Sequence, residues 1–239
     1  MELIVIGLIL FAAGLIQGLS GFGSALTSIS LLPLIMDLKM AVPLIAANAI
    51  IVNVINFYSV RAHFVIKDFI SLLIGSIIGA PIGIMILKFV DPDITKTILG
   101  VLIISYSLYC LLKKHTVKVE LKPIWAYISG LTAGILGGAC TVNGPPVIIY
   151  LTKKYESKHK IKAIVAGFLL TAGIVNVFMF ALNGLYTLSV CKYSAGFAVF
   201  TILGVFTGNH YYKKINHDIF KKFIYVFLLV AGAFLVFNN

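Results

Sequence analysis

The chain has 239 residues, of which 60% are hydrophobic and only 11% are charged. Soluble domains carry about 25% charged residues, and no water-soluble fold of this size buries so large an apolar fraction. Composition therefore excludes a soluble enzyme, a nucleic-acid-binding module and a secreted disulfide scaffold, and it predicts an integral membrane protein. The net charge of +11 is then explained by helix orientation and by contact with the lipid bilayer, with no nucleic acid as partner.

Charged residues divide the chain into eight apolar stretches. They cover residues 3–36, 41–60, 69–87, 97–112, 124–151, 161–182, 188–208 and 219–237. Six of them contain 16 to 22 residues, close to the roughly 20 residues that cross a bilayer as a helix. These six are predicted to be full transmembrane helices.

The first and fifth stretches, with 34 and 28 residues, are too long for a single crossing. Each is interrupted near its middle by a glycine-rich segment, GLSGFGS at 18–24 and GGACTVNGPP at 137–146. Irregular backbone at membrane depth is tolerated only where it is buried in protein or lines a cavity. We therefore predict that each stretch is a broken element, either a re-entrant hairpin or a pair of half-helices.

The distribution of lysine and arginine predicts the orientation in the membrane, because basic residues near helix ends mark the cytoplasmic side. If all eight stretches cross once, the 19 basic residues divide 12 to 7 between the two sides. If the first and fifth stretches return to the side where they began, the division is 15 to 4. The second arrangement predicts a multi-pass protein of the cell membrane with both termini outside the cytoplasm.

The two halves of the chain resemble each other. IVNVINF at 51–57 recurs as IVNVFMF at 174–180, glycines of the first and fifth stretches match at an offset of 116, and a later block matches at an offset of 125. The first hairpin begins outside and the second inside, so the repeats are inverted. Inverted repeats with paired broken elements are typical of secondary transporters.

The predicted fold is an all-α polytopic membrane protein built from two inverted repeats. Each repeat is a broken, re-entrant-type hairpin followed by three transmembrane helices. The first transmembrane repeat covers 1–112, a basic cytoplasmic linker covers 113–123, and the second, inverted repeat covers 124–239.

The two glycine-rich segments also carry a family resemblance. GLSGFGSALTSISLLPLI at 18–35 and AGILGGACTVNGPPVIIYL at 133–151 resemble the paired signatures of the TauE/SafE sulfite exporter family. The resemblance implies a secondary transporter for small sulfur-containing or organic anions such as sulfite or sulfonates.

The predicted spans offer no ionisable side chain to hold an anion or relay a proton. All eight acidic residues and all five histidines lie outside the apolar stretches or at their margins. Instead, the half-helix after each break would present free backbone N–H groups and the positive end of its dipole. Ser24 is placed to cap the first of these helices, and Asn143 or Gly144 to cap the second, with Pro145 as its first residue.

We therefore predict an uncharged anion site where the two breaks meet, with hydroxyl and amide side chains as donors and glycines that let the backbone approach. The predicted substrate-binding residues are Gly21, Gly23, Ser24, Thr27, Asn53, Gly138, Thr141, Asn143, Gly144 and Asn176. The alternative is that the polar residues at the breaks only satisfy exposed backbone groups. Asn53 and Asn176 occupy matching positions mid-helix, where an asparagine serves either as an interhelical hydrogen-bonding group or as a substrate contact.

Two other functions stay open from the sequence. An anion channel is one, although no selectivity filter is identifiable. The other is an intramembrane protease, because GLSG at 18–21 resembles the rhomboid nucleophile motif, with His210 as the nearest base. We predict no catalytic residue, no cofactor and no metal site, since the three cysteines lack metal-ligand spacing.

Glycines at four-residue spacing, as in Gly75, Gly79 and Gly83 or in Gly204 and Gly208, are typical of close helix packing. Exposed glycine faces of this kind would suit a homodimer.

Overall fold

The computed structural model describes residues 2–20, 23–112, 121–211 and 217–237, and within these ranges it contains helices and no β-strand. The helices are α1 Glu2–Ser20, α2 Ser24–Leu31, α3 Leu38–Val60, α4 Ile66–Phe89, α5 Pro92–Leu112, α6 Ile124–Cys140, α7 Gly144–Lys154, α8 Lys158–Leu182, α9 Leu188–Tyr211 and α10 His217–Phe237. Single 3-10 turns follow α2 at Leu32–Leu34 and α3 at Arg61–His63. The predicted all-α class is confirmed.

Five helices are long and apolar enough to cross a membrane. They are Leu38–His63, Ile66–Phe89, Pro92–Leu112, His159–Leu182 and Leu188–Tyr211. These correspond to five of the six predicted full spans, so a multi-pass membrane protein is confirmed. The sixth predicted span, at 219–237, forms α10, whose apolar part among the described residues is Leu228–Phe237; its crossing stays a prediction.

Polar residues at the ends of the apolar stretches fix where the helices begin. The Asp37 carboxylate accepts a hydrogen bond from the Lys39 backbone N–H at 2.7 Å, which caps α3. The Ser157 hydroxyl accepts from the Lys160 N–H at 3.4 Å and caps α8 in the same way.

Helices α4 and α6 pack more extensively than any other pair among the described helices, and glycines allow it. A Cβ atom at Gly79 would overlap the Leu131 carbonyl oxygen and would lie 2.9 Å from the Ile135 nitrogen. Gly75 and Gly83 face α6 in the same way, one turn before and one turn after. The backbones of the two helices are therefore in direct contact, as the glycine spacing predicted.

Helices α1 and α9 pack through the same device. A Cβ at Gly18 would lie 2.6 Å from the Val205 carbonyl oxygen, and one at Gly208 would lie 3.1 Å from the Leu19 nitrogen. The glycine faces are thus covered by helices of the same chain and are not free for a second copy. A homodimer stays a prediction, without this argument for it.

The remaining packing brings the two broken stretches to the centre of the molecule. The long helices α3 and α8 lie against each other, α2 packs on α1 and α3, and α7 packs on α6 and α8. Helices α5 and α10 form a further pair. The predicted domain boundaries stay predictions: α5 ends at Leu112, α6 begins at Ile124, and most of the predicted linker, 113–120, lies outside the described residues.

Candidate functional site

The two glycine-rich segments line a single cavity. Helix α1 ends at Ser20 and α2 begins at Ser24, while α6 ends at Cys140 and α7 begins at Gly144. The cavity between them measures about 50 Å³, several times the roughly 10–15 Å³ that admits one water molecule. Polar and small residues from both breaks and from α1, α3, α5 and α8 line it, among them Gln17, Gly23, Ser24, Asn53, Tyr106, Thr141, Asn143, Gly144 and Asn176.

At the first break, the α2 N-terminus is capped from the preceding helix. Gly23 is the N-cap residue and has a φ of 107°, a left-handed conformation that favours glycine. Ser24 is the first helical residue, and its backbone N–H donates to Gln17 Oε1 at 2.9 Å. The predicted capping role of Ser24 is therefore wrong, because the left-handed turn at Gly23 puts Ser24 inside the helix and leaves its N–H to the Gln17 side chain.

The Gln17 amide also ties the first break to α3. Its Nε2 donates to Asn53 Oδ1 at 2.9 Å, and Asn53 Nδ2 donates to the Leu169 carbonyl of α8 at 3.3 Å. These bonds satisfy both polar atoms of the Asn53 amide across three helices. Asn53 thus serves as an interhelical hydrogen-bonding group while it also lines the cavity.

At the second break, Thr141 reverses the chain. Its φ is 59°, which makes it the one non-glycine residue with positive φ among those the structure describes. The Thr141 N–H donates to the Gly137 carbonyl at 2.8 Å and the Val142 N–H to the Leu136 carbonyl at 3.3 Å, the bonding that usually ends a helix at glycine. A β-branched residue in this conformation is strained.

Helix α7 then begins with an unusual pattern of donors. Asn143 is the N-cap residue and Gly144 the first helical residue, so Pro145 is the second and not, as predicted, the first. Pro145 and Pro146 carry no N–H. The free backbone donors in this turn are therefore the N–H groups of Asn143 and Gly144.

The amides of Asn143 and Asn176 meet at the cavity wall with unused hydrogen-bonding capacity. Asn176 Nδ2 donates to Asn143 Oδ1 at 3.5 Å. Within the described part of the chain, Asn143 Nδ2 and Asn176 Oδ1 are buried without a hydrogen-bond partner. A Cβ at Gly137 would overlap the Asn143 amide, so this glycine makes the room in which the Asn143 side chain lies.

The cavity is electrostatically suited to a small anion although none of the described residues lining it is charged. The N-termini of α2 and α7 both lie at it, and each contributes the positive end of a helix dipole and unpaired N–H groups. The unpartnered amide nitrogen of Asn143 adds a side-chain donor.

Most of the predicted site residues come together at this cavity, and two of the described ones, Thr27 and Gly138, do not line it. Thr27 is buried one turn into α2, with a hydroxyl that lacks a partner among the described residues. Gly138 faces α4 instead, where a Cβ would overlap the Ala80 carbonyl oxygen, so its role is helix packing. Gly21 lies outside the described residues.

Two polar residues that were not among the predicted site residues also line the cavity, Gln17 and Tyr106. Gln17 had a usable signal, since it is the only glutamine in the chain and lies one turn before the first break. Tyr106 had none, because its contribution depends on how α5 packs.

A separate polar cluster fixes the far end of α7. Lys154 Nζ lies 2.7 Å from Asp68 Oδ1 at the start of α4, and the Tyr155 hydroxyl donates to Asp68 Oδ2 at 2.6 Å. Partial burial and the hydrogen bond to Asp68 raise the pKa of Tyr155 to about 12. The contribution of this bond to stability is therefore fully present below the ordinary tyrosine pKa of 10.0 and is lost only as the pH rises through about 12.

Removal of the Lys154 charge is expected to destabilise the protein. Lys154→Met should cost about 2–3 kcal/mol in the free energy of unfolding, because it leaves the buried Asp68 carboxylate without its cation. Thermal unfolding in detergent measures the effect. The exposed neighbour supplies the control, since Lys153→Met should change stability by less than about 0.5 kcal/mol. Equal losses from both substitutions would contradict this account of the cluster.

Comparison with known proteins identifies a family for this chain. The family model described as "Sulfite exporter TauE/SafE" matches residues 6–235, which includes both breaks and all ten helices in whole or in part. No curated protein and no solved structure matches the chain. The matched family consists of transporters and not of enzymes. Because the match spans nearly the whole sequence, the chain belongs to the TauE/SafE sulfite exporter family.

Proposed function

We propose that this protein is a secondary transporter that moves small sulfur-containing or organic anions, such as sulfite or sulfonates, across the cell membrane by alternating access. The observation that carries the proposal is the uncharged cavity where the two breaks meet, since it combines two helix N-termini with the Asn143 amide nitrogen, which has no partner among the described residues. Family membership supports the transport of sulfite or a related anion.

In the proposed site, the anion accepts hydrogen bonds from the Asn143 side chain and from the free N–H groups at the starts of α2 and α7. Charge-assisted hydrogen bonds of this kind are about twice as strong as neutral ones. Asn176 and Gln17 hold the donors in place through their bonds to Asn143 and Ser24. Without a fixed cation in the cavity, the anion is bound loosely enough to be released on the other side.

The packing supports the proposed inverted repeats. In the proposed repeats, α1 to α5 correspond in order to α6 to α10. The counterpart of the α1–α9 pair is therefore the α6–α4 pair, and both pairs pack through glycines. Gly204 faces Phe11 as Gly75 faces Tyr127. If the predicted offset of 116 relates α1 to α6, Phe11 corresponds to Tyr127 (127 minus 11), and Gly204 then corresponds to Gly75 at an offset of 129 (204 minus 75), one helical turn more than the predicted 125.

We further propose that both termini lie outside the cytoplasm, on the strength of the lysine distribution. The Lys153–Lys160 region then lies on the cytoplasmic side. Each repeat would rock against the other around the central cavity to expose it to one side at a time.

Counterflow in proteoliposomes tests the transport function. Vesicles loaded with sulfite, thiosulfate, sulfoacetate, acetate or chloride are diluted into a labelled form of the same anion. We expect saturable, trans-stimulated uptake of at least one sulfur-containing anion, because a carrier moves its substrate through one alternately exposed site. Flux that rises linearly with concentration would identify a channel instead, and the absence of exchange for every anion would contradict the proposal.

A further inference from the structure

A second cavity of about 550 Å³ adjoins the central one between α5, α6 and α7. The two cavities share four wall residues, Leu26, Tyr106, Val142 and Pro145. A third cavity, of about 300 Å³, shares Thr132, Pro146 and Ile149 with the second and ends at Trp125 and Lys153. The three cavities form a row that leads from the exposed Lys153 to the breaks. The second and third cavities together are here called the α5–α7 groove.

The packing on the opposite side differs. In the proposed repeats, the α2–α10 pair on this side is the counterpart of the α7–α5 pair. Helix α10 packs on α2, whereas α5 and α7 make few contacts and the groove lies between them. The central site is therefore less covered by packed helices on the α5–α7 side than on the α2–α10 side.

We propose that the anion reaches the central site through the α5–α7 groove from the Lys153 side, and that Tyr106 is the gate between groove and site. The proposal rests on the transport function proposed above and adds the route and the gating residue. The second cavity, at about 550 Å³, is many times larger than the roughly 30 Å³ that one water molecule takes up in the liquid, so a small anion has room to pass along it.

The walls of the groove suit passage and not binding. They are mostly apolar, as in Leu99, Leu102 and Ile135, so they offer the anion few competing hydrogen bonds. At the mouth, the exposed Lys153 ammonium raises the local anion concentration. The anion thus meets its first strong donors only at the breaks.

Tyr106 lies at the junction of the two cavities, and its hydroxyl is free of any strong hydrogen-bond partner among the described residues. Its side chain is 7% exposed and lines both cavities. The hydroxyl has no nitrogen or oxygen partner among the described residues; it neighbours the sulfur of Cys110, a weak acceptor. The ring closes the site, and the hydroxyl is available to donate to the anion when it passes.

Thiol labelling tests the route without any transport measurement. Thr132→Cys is placed in a full-length chain whose Cys110, Cys140 and Cys191 are replaced by alanine, and the protein is reconstituted in liposomes and exposed to a charged, water-soluble methanethiosulfonate. The matched control is Ile16→Cys, which is equivalent to Thr132 at the offset of 116 and lies on the α2–α10 side. We expect Thr132→Cys to react about tenfold faster, since the reagent needs aqueous access to a thiolate. Equal reaction rates of the two cysteines would overturn the route. So would a Thr132→Cys that does not react, since lipid would then cover that position.

A second cysteine tests the gate. Ala49→Cys lies in the central cavity, behind Tyr106. Its labelling should accelerate about tenfold in Tyr106→Ala, which removes the ring, and should stay unchanged in Tyr106→Phe, which keeps it. An unchanged rate in both variants would overturn the gate. Labelling does not depend on the substrate, so the two proposals can fail separately. Failed counterflow with the expected labelling would count against the transport function. Anion exchange in counterflow without the expected labelling would count against the route alone.

Discussion

Replacement of Gly79 by leucine is expected to abolish the folded protein. A Cβ at this position would overlap the Leu131 carbonyl oxygen and lie 2.9 Å from the Ile135 nitrogen, and both atoms belong to the backbone of α6. Overpacking a core with flexible side chains costs about 1–3 kcal/mol. Here no side chain is available to move, so α4 and α6 have to separate along their length, and we expect a loss above that range.

The yield of monodisperse protein in detergent and its thermal unfolding measure this effect. Gly196→Leu is the matched control, because Gly196 also lies within a long helix, but no atom of another described helix lies within 4 Å of its Cβ position. It should fold as the parent does, with a small gain from helix propensity. A Gly79→Leu protein as stable as Gly196→Leu would show that α4 and α6 do not pack as described.

Replacement of Asn143 by aspartate is expected to remove anion exchange while the fold persists. The substitution is nearly isosteric but replaces an unpartnered amide donor at the cavity with a carboxylate. Two like charges about 4 Å apart repel by about 4 kcal/mol at an effective dielectric constant of 20. The half-saturating anion concentration in counterflow should therefore rise by about 100-fold or more. Asn143→Ala, which removes the amide without adding a charge, should raise it by about tenfold.

Asn48 provides the matched control for the loss of a buried amide. Its side chain donates to the Leu44 carbonyl at 3.0 Å and accepts from the Thr201 hydroxyl at 3.2 Å, and it does not line the central cavity. Asn48→Ala should lower the unfolding temperature without a change in half-saturating concentration. If Asn143→Asp exchanges anions as the parent does, the proposed site is wrong.

The spans and breaks were predictable because the membrane imposes simple rules. A helix that crosses lipid needs about 20 apolar residues, so charged residues lie within a few positions of both ends of α3, α4 and α5, of the start of α8 and of the end of α9. The breaks were visible as glycines and proline in stretches too long for one crossing. They lie between the end of α1 at Ser20 and the start of α2 at Ser24, and between the end of α6 at Cys140 and the start of α7 at Gly144, inside the predicted segments 18–24 and 137–146.

The roles of individual glycines were less predictable, since glycine serves several purposes. Gly138 was expected to let the backbone approach an anion, but it makes room for α4, while its neighbour Gly137 makes room for Asn143. These two roles can be distinguished only when it is known which helix or side chain lies against each glycine. For the same reason, the glycine series on α4 predicted close packing correctly but not α6 as its partner.

The local chemistry of the breaks also depends on backbone conformation that sequence does not fix. Ser24 is a good capping residue by type, yet the left-handed Gly23 moves it into the helix and Gln17 supplies the cap. Tyr106 reaches the site from α5, a helix that is distant from both breaks in sequence.

The most direct test of an anion site at the paired breaks is equilibrium binding to the purified protein. The unfolding temperature is measured against increasing concentrations of the anion that exchanges in counterflow, because a ligand that binds the folded state at 100 times its Kd stabilises it by about 2.7 kcal/mol. We predict saturable stabilisation of the parent and of Asn48→Ala, and none of Asn143→Asp. Equal stabilisation of Asn143→Asp and the parent would contradict the account, since the anion would then bind elsewhere.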